Sequence, residues 1–163
     1  MTDSINPQPS RARRDFLCTL GLAIGAIGLC VPAAAALPSG KLRAITVYKD
    51  PDCGCCAEWI KHIRKAGFVV AVNDMRDMES VKRAMGVPKA LESCHTARIG
   101  TYVIEGHVPA DLIIKLLNET PDARGLAVPG MPMGSPGMEG ARTDRYNVML
   151  FDKAGASRIY ASR

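Results

Sequence analysis

Apolar residues fall in short blocks separated by glycine, proline and acidic residues, and their spacing changes from block to block. Leu42 to Tyr48 is apolar and β-branched and runs into Asp50-Pro51-Asp52, which predicts a strand entering a turn. Cys56, Trp59, Ile60 and Ile63 then recur at intervals of three and four up to Gly67, predicting a helix that begins near Asp52 or Cys53. Phe68 to Val72 is continuously apolar and bounded by Asn73-Asp74, the pattern of a strand buried on both faces. Strand, helix and strand within about thirty residues predict a βαβ unit.

Met78 to Met85 predicts a second short helix, stopped by Gly86-Val87-Pro88, and Ser93-Cys94-His95-Thr96 reads as a loop. Ile99 to Ile104 reads as one strand. Pro109 and Asp111 open a helix with Leu112, Ile113, Leu116 and Leu117 on one face, ending at Thr120-Pro121. Gly125 to Gly140 is rich in glycine, proline and methionine, which predicts a long loop. Val148 to Phe151 and Arg158 to Ala161 pair across Asp152-Lys153-Ala154-Gly155 as a β-hairpin. The class is α/β, with a C-terminal hairpin.

The N-terminus changes the picture. Arg13-Arg14 precedes an apolar run, Leu17 to Val31, and Pro32-Ala33-Ala34-Ala35-Ala36 offers a small-residue cleavage pattern, so residues 1–36 read as a twin-arginine signal peptide and 37–163 as the mature domain. The run is short of the ~20 residues that span a bilayer, so no stable membrane anchor is expected. Leu29 before Cys30 argues against lipidation. With 163 residues, 47% of them hydrophobic, the chain suits one modest domain behind that leader. The formal charge of +5 is spread without a basic run, which speaks against nucleic-acid binding.

Of the six cysteines, Cys18 and Cys30 leave with the signal, and Cys53, Cys55, Cys56 and Cys94 remain. In an oxidising periplasm these should be disulfides, redox-cycling thiols or metal-held thiolates. Cys53 and Cys56 have the C-x-x-C spacing of thioredoxin-like redox sites at a helix start, where the dipole favours thiolates. Cys55 separates the readings. A dithiol oxidoreductase using Cys53 and Cys56 has no need of a third sulfur, whereas adjacent thiolates can bridge several soft ions, and Cu(I) suits thiolate ligands. In a thioredoxin-like layout the Cys94 loop faces the helix-start cysteines, so Cys94 completes a four-thiolate set with His95 nearby. His107, at a strand end, is a candidate outer ligand. Met131, Met133 and Met138 form a thioether-rich loop of soft donors. Trp59 reads as core and His62 as part of a solvated helix face. No nucleophile–base–orienter set and no phosphate-cradling loop is visible. A structural module with two disulfides and no ligand is the third reading.

The motifs Cys53-Gly54-Cys55-Cys56, Cys94-His95-Thr96-Ala97, Glu105-Gly106-His107-Val108-Pro109 and Gly125-Leu126-Ala127-Val128-Pro129-Gly130-Met131-Pro132 occur in this order. From about Leu42 to Tyr160 the chain resembles the DUF411 family of periplasmic metal-binding proteins from copper-resistance operons. The resemblance implies a thioredoxin-like fold with a mixed central sheet and flanking helices. It also implies copper handling, with copper held by the C-x-C-C cysteines and the distal Cys94. The expected partners are copper ions and other periplasmic copper-handling proteins.

Overall fold

In the computed structural model, which describes residues 43–163, strand β1 (Arg43–Lys49) comes first. The signal peptide expected over residues 1–36 lies outside the described residues. Ile45 and Val47 are buried between less buried neighbours, the alternation of a strand with one packed face. Helix α1 (Gly54–Lys65) buries Cys56, Trp59, Ile60 and Ile63, the stripe predicted from their spacing. Strand β2 (Phe68–Asp74) runs parallel to β1, from Arg43 opposite Phe68 to Lys49 opposite Asp74, which completes the βαβ unit.

Helix α2 (Met78–Met85) begins where the Asp77 carboxylate accepts the Ser80 N–H at 3.0 Å and ends at Gly86, whose φ of 71° closes the left-handed cap. A 3₁₀ turn (Lys89–Leu91) leads to β3 (His95–Ile99) and β4 (Tyr102–Glu105). Helix α3 (Ala110–Glu119), β5 (Gly125–Ala127), β6 (Asn147–Phe151) and β7 (Ser157–Ser162) follow. The strands form one mixed sheet in the order β2-β1-β3-β4-β5-β6-β7. β3 is antiparallel to both β1 and β4, β5 is parallel to β4 and antiparallel to β6, and β6 and β7 form the expected hairpin. The mixed central sheet, its helices and the C-terminal hairpin are as the sequence predicts. One face of the sheet packs Ile45, Val47, Ile104 and Leu126 against Trp59 and Ile63 of α1 and Ile113 and Leu116 of α3. The opposite face packs Val103, Ala127 and Phe151 with Leu91, Val87 and Met85.

Three expectations are corrected. β2 is not buried on both faces. It is an edge strand, with Val69 51% exposed, because an apolar run does not reveal whether a second strand or helix covers it. Ile99 to Ile104 is not one strand. Gly100 (φ 57°) and Thr101 turn the chain between Ile99 and Tyr102, so the β-rich run folds on itself as a hairpin, and His95 lies in β3 rather than a loop. Gly125–Ala127, read as the start of the long loop, is a buried strand between β4 and β5's other neighbour β6, since the first proline comes only at Pro129.

His62 is also placed differently from the solvated face expected. Its Nε2 accepts the Ala110 N–H at 3.1 Å, so α1 caps the start of α3. Burial lowers the His62 pKa below the ordinary 6.5, against the opposing pull of Glu139 and Asp111. As pH falls, the unfolded chain therefore takes up this proton first. Stability is full above 6.5 and declines as pH drops through it toward the lower folded value. His95 and His107 are shifted in the same direction. The melting temperature of the metal-free protein should fall between about pH 8 and pH 5. His62→Gln, whose amide oxygen accepts the same N–H without titrating, should flatten part of that slope; an unchanged slope contradicts this role.

Candidate metal centre

The register of β1 and β3 brings the site together. Lys49, the last residue of β1, lies opposite His95, the first of β3, so Cys94 sits beside the turn that carries the chain into α1. That turn is closely tied. Asp50 O accepts the Cys53 N–H at 3.1 Å, Asp50 Oδ1 accepts the Asp52 N–H at 2.8 Å, and Lys49 Nζ reaches Asp50 O at 2.9 Å and Asp74 at 2.9 Å. Cys53 is the residue that caps α1, and Cys55 and Cys56 fall in its first turn, where backbone N–H groups lack helical partners.

The sulfurs of Cys53, Cys55, Cys56 and Cys94 all lie within 4.8 Å of one another. Cys53 and Cys56 are joined as a disulfide, with Cα atoms 5.4 Å apart, and Cys55 and Cys94 are free. Cys55 Sγ is 3.6 Å from Cys53 Sγ and 3.9 Å from Cys94 Sγ. Two-electron, two-proton reduction of the bridge turns this group into four thiols.

The two histidines converge on Cys94. His107 Nε2 lies 2.8 Å from Cys94 Sγ, and His95 Nδ1 lies 3.5 Å from it. Neither histidine is on the surface; both are fully buried. His107 follows the end of β4, where Gly106 donates to His95 O at 2.9 Å. Its Nδ1 lies 2.7 Å from Pro136 O, which can only accept, so Nδ1 carries the hydrogen and Nε2 is the acceptor. Burial lowers the pKa of His107, and burial with neighbouring His107 and Lys82 lowers that of His95 further. Burial and then the adjacent Cys55 push the Cys94 thiol up to about 12. Without a cation, Cys94 is thus a protonated thiol donating to neutral His107. A soft cation replacing that proton removes the cost of burying a lone thiolate. His95 Nε2 is buried without a hydrogen-bond partner, and its ring lies 4.3 Å from that of Trp59.

The methionine loop is folded over this site. Gly137, at φ 86°, approaches α1 so closely that a Cβ there would meet Cys55 O and Trp59 N at 2.7 Å, and the neighbouring Pro136 supplies the carbonyl for His107. Met131 is 54% exposed, Met133 and Met138 are half-buried, and Met133 Cε packs against Gly140. Gly137→Ala should displace the loop from α1 and cut the His107–Pro136 bond. The expected result is faster alkylation of Cys55 in the reduced, metal-free protein, followed by mass spectrometry; an unchanged rate contradicts the covering role.

Residue spacing did not signal the buried polar group behind Cys94. Glu105 accepts from Lys82 Nζ at 2.5 Å, from Thr96 Oγ1 at 2.6 Å and from the Ser93 N–H at 2.7 Å. Burial raises the Glu105 pKa, opposed by these three partners. The one available signal was an isolated acidic residue at the end of an apolar strand.

A family model described as "Protein of unknown function, DUF411" matches residues 91–138. A solved structure titled "Copper resistance protein copG- Form 2" is 48% identical, with a TM-score of 0.71 over 74% of this chain and 98% of that one. A second, "Copper resistance protein copG- Form 1", is 47% identical, with a TM-score of 0.72 over 76% of this chain and 98% of that one. No curated protein sequence matches. Among the described residues, no helix is long and apolar enough to cross a membrane.

Proposed function

Because the chain belongs to the DUF411 family, among copper resistance proteins of the CopG kind, we propose that it binds copper as cargo, in the Cu(I) state and as more than one ion per chain. The observation that carries this reading is the gathering of four cysteine sulfurs within 4.8 Å, with two imidazoles converging on Cys94. Sulfur-rich donor sets favour soft ions. Adjacent Cys55 and Cys56 suit a polynuclear copper–thiolate cluster better than one tetrahedral ion. Cys53, Cys55, Cys56 and Cys94 are the proposed ligands, His95 and His107 the supporting ones, and Met131, Met133 and Met138 the outermost candidates. The mature domain, residues 37–163, acts in the periplasm after twin-arginine export and exchanges copper with other periplasmic copper-handling proteins.

The Cys53–Cys56 bridge makes a prediction of its own. A disulfide removes two thiolates, so protein reduced under anaerobic conditions should take up Cu(I) and the oxidised protein should take up much less. Equal uptake in both states contradicts the proposed ligand set.

The same bridge favours one rival, a thiol-disulfide oxidoreductase using Cys53 and Cys56. Insulin reduction separates the two readings: activity that persists in a Cys55→Ala, Cys94→Ala variant supports the oxidoreductase, and its absence from wild-type protein that takes up Cu(I) supports the metal site.

A further inference from the structure

We propose that Glu105, held by Lys82, is the positioning residue of this centre: its carboxylate grips the chain on both sides of Cys94-His95 and fixes Cys94 against Cys55 and His107. The inference rests on the copper reading for its function and on the described geometry for its placement. Glu105 ends β4 opposite Thr96 of β3 and is wholly buried. Its Oε1 accepts the Ser93 N–H at 2.7 Å, and its Oε2 accepts the Thr96 hydroxyl at 2.6 Å. Ser93 and Thr96 are the residues immediately before and after Cys94-His95. Lys82 Nζ, from α2, reaches both Glu105 Oε1 at 2.5 Å and Thr96 Oγ1 at 3.2 Å, so it fastens the two ends of the grip together.

The same residue also governs the other side of the centre. Two positions after Glu105 lies His107, which meets Cys94 Sγ. Gly106 between them packs so tightly that a Cβ would meet Ser93 Cβ at 2.5 Å and Val128 O at 2.7 Å. Glu105 therefore carries His107 on its own backbone and Cys94 through its side chain, and a change in either segment is transmitted to both.

Stability alone does not account for this pair. Burying a carboxylate and an ammonium costs desolvation, and apolar residues of similar volume often replace such a pair at no loss. Its position does account for it: the Ser93 N–H and the Thr96 hydroxyl need an acceptor that neither an alkyl side chain nor the strand ladder provides. Partners that orient metal-binding residues typically contribute about 10- to 100-fold in metal affinity.

The test pairs full-length wild type with a Lys82→Met, Glu105→Leu double variant and with Thr96→Val, which keeps the Lys82–Glu105 pair and removes the Oε2 grip together with the Lys82–Thr96 contact. Three readouts are taken: melting temperature, Cu(I) affinity of reduced protein by competition with a chromophoric chelator, and alkylation rates of Cys94 and Cys55 in reduced, metal-free protein. The double variant should melt below wild type, because the Ser93 N–H and the Thr96 hydroxyl lose their acceptor, bind Cu(I) about 10- to 100-fold more weakly, and alkylate Cys94 faster with Cys55 unchanged. Thr96→Val should shift affinity and Cys94 reactivity in the same direction, by less. It carries the test alone if the double variant does not fold. A merely structural role predicts the same loss of melting temperature with all cysteines more reactive together. Wild-type affinity and wild-type Cys94 reactivity in a folded variant overturn the positioning role. Failure of wild type to bind Cu(I) overturns the copper reading instead, while the alkylation arm still decides whether Glu105 places Cys94.

Discussion

Cys55→Ser is expected to abolish binding of more than one copper ion per chain while leaving the Cys53–Cys56 bridge able to form. Cys55 Sγ is the sulfur between the two halves of the site, 3.6 Å from Cys53 Sγ and 3.9 Å from Cys94 Sγ. A serine hydroxyl is nearly the same size, yet it is a hard donor that stays protonated, so it bridges no soft ions. Cys55 is half-buried at the helix start, and substitutions away from packed features usually change stability by less than about 0.5 kcal/mol. Loss of copper from a fold that melts normally is therefore the expected combination. The check is metal analysis after anaerobic reconstitution, with thiol counting on the oxidised protein to show that the bridge is intact. Undiminished copper in the variant contradicts a bridging role. The oxidoreductase reading predicts unchanged insulin reduction in the variant, because Cys55 takes no part in a Cys53–Cys56 dithiol cycle.

The largest effect on stability is expected at Trp59. Its side chain is completely buried in the core cluster that α1 shares with the sheet, and its Nε1 donates to Val108 O at 2.9 Å. Trp59→Ala removes that bond and leaves a cavity beneath His95, whose ring centre is 4.3 Å away. The cost should be about 3–5 kcal/mol in urea unfolding. Trp59→Phe keeps most of the apolar contact and strands the Val108 carbonyl, so its cost should be nearer 1–3 kcal/mol. The link to function is that Val108 directly follows His107. With Trp59 gone, both the floor of His95 and the segment carrying His107 lose a fixed neighbour, so copper affinity should fall along with stability. A cost for Trp59→Ala below about 1 kcal/mol contradicts this packing.

Much of this arrangement was legible from residue periods. The three- and four-residue recurrence from Cys56 to Ile63 marked α1, and the cysteines at its start followed from the Asp50-Pro51-Asp52 turn. The approach of Cys94 to those cysteines required a layout as well as a pattern, and the β1–β3 register bears it out. The hairpin at Gly100-Thr101 was hidden because β-branched and aromatic residues continue on both sides of it, and the turn moved His95 from a supposed loop into a buried strand. Burial of β2 was misread because period does not report which neighbours a strand acquires. The Lys82–Glu105 pair joins residues 23 positions apart on a helix and a strand, and no local spacing announces such a contact. His62 was misplaced for the same reason, since its partner, the Ala110 N–H, lies 48 residues away.

The proposed site holds a cluster of copper ions on these four sulfurs rather than one ion or none. The most direct measurement is the copper and zinc content of the full chain, reduced and reconstituted without oxygen, together with X-ray absorption at the copper edge. A copper–thiolate cluster should give more than one Cu(I) per chain, with sulfur dominating the nearest scattering and copper neighbours beyond it. One zinc or one copper per chain, with no second ion, contradicts it.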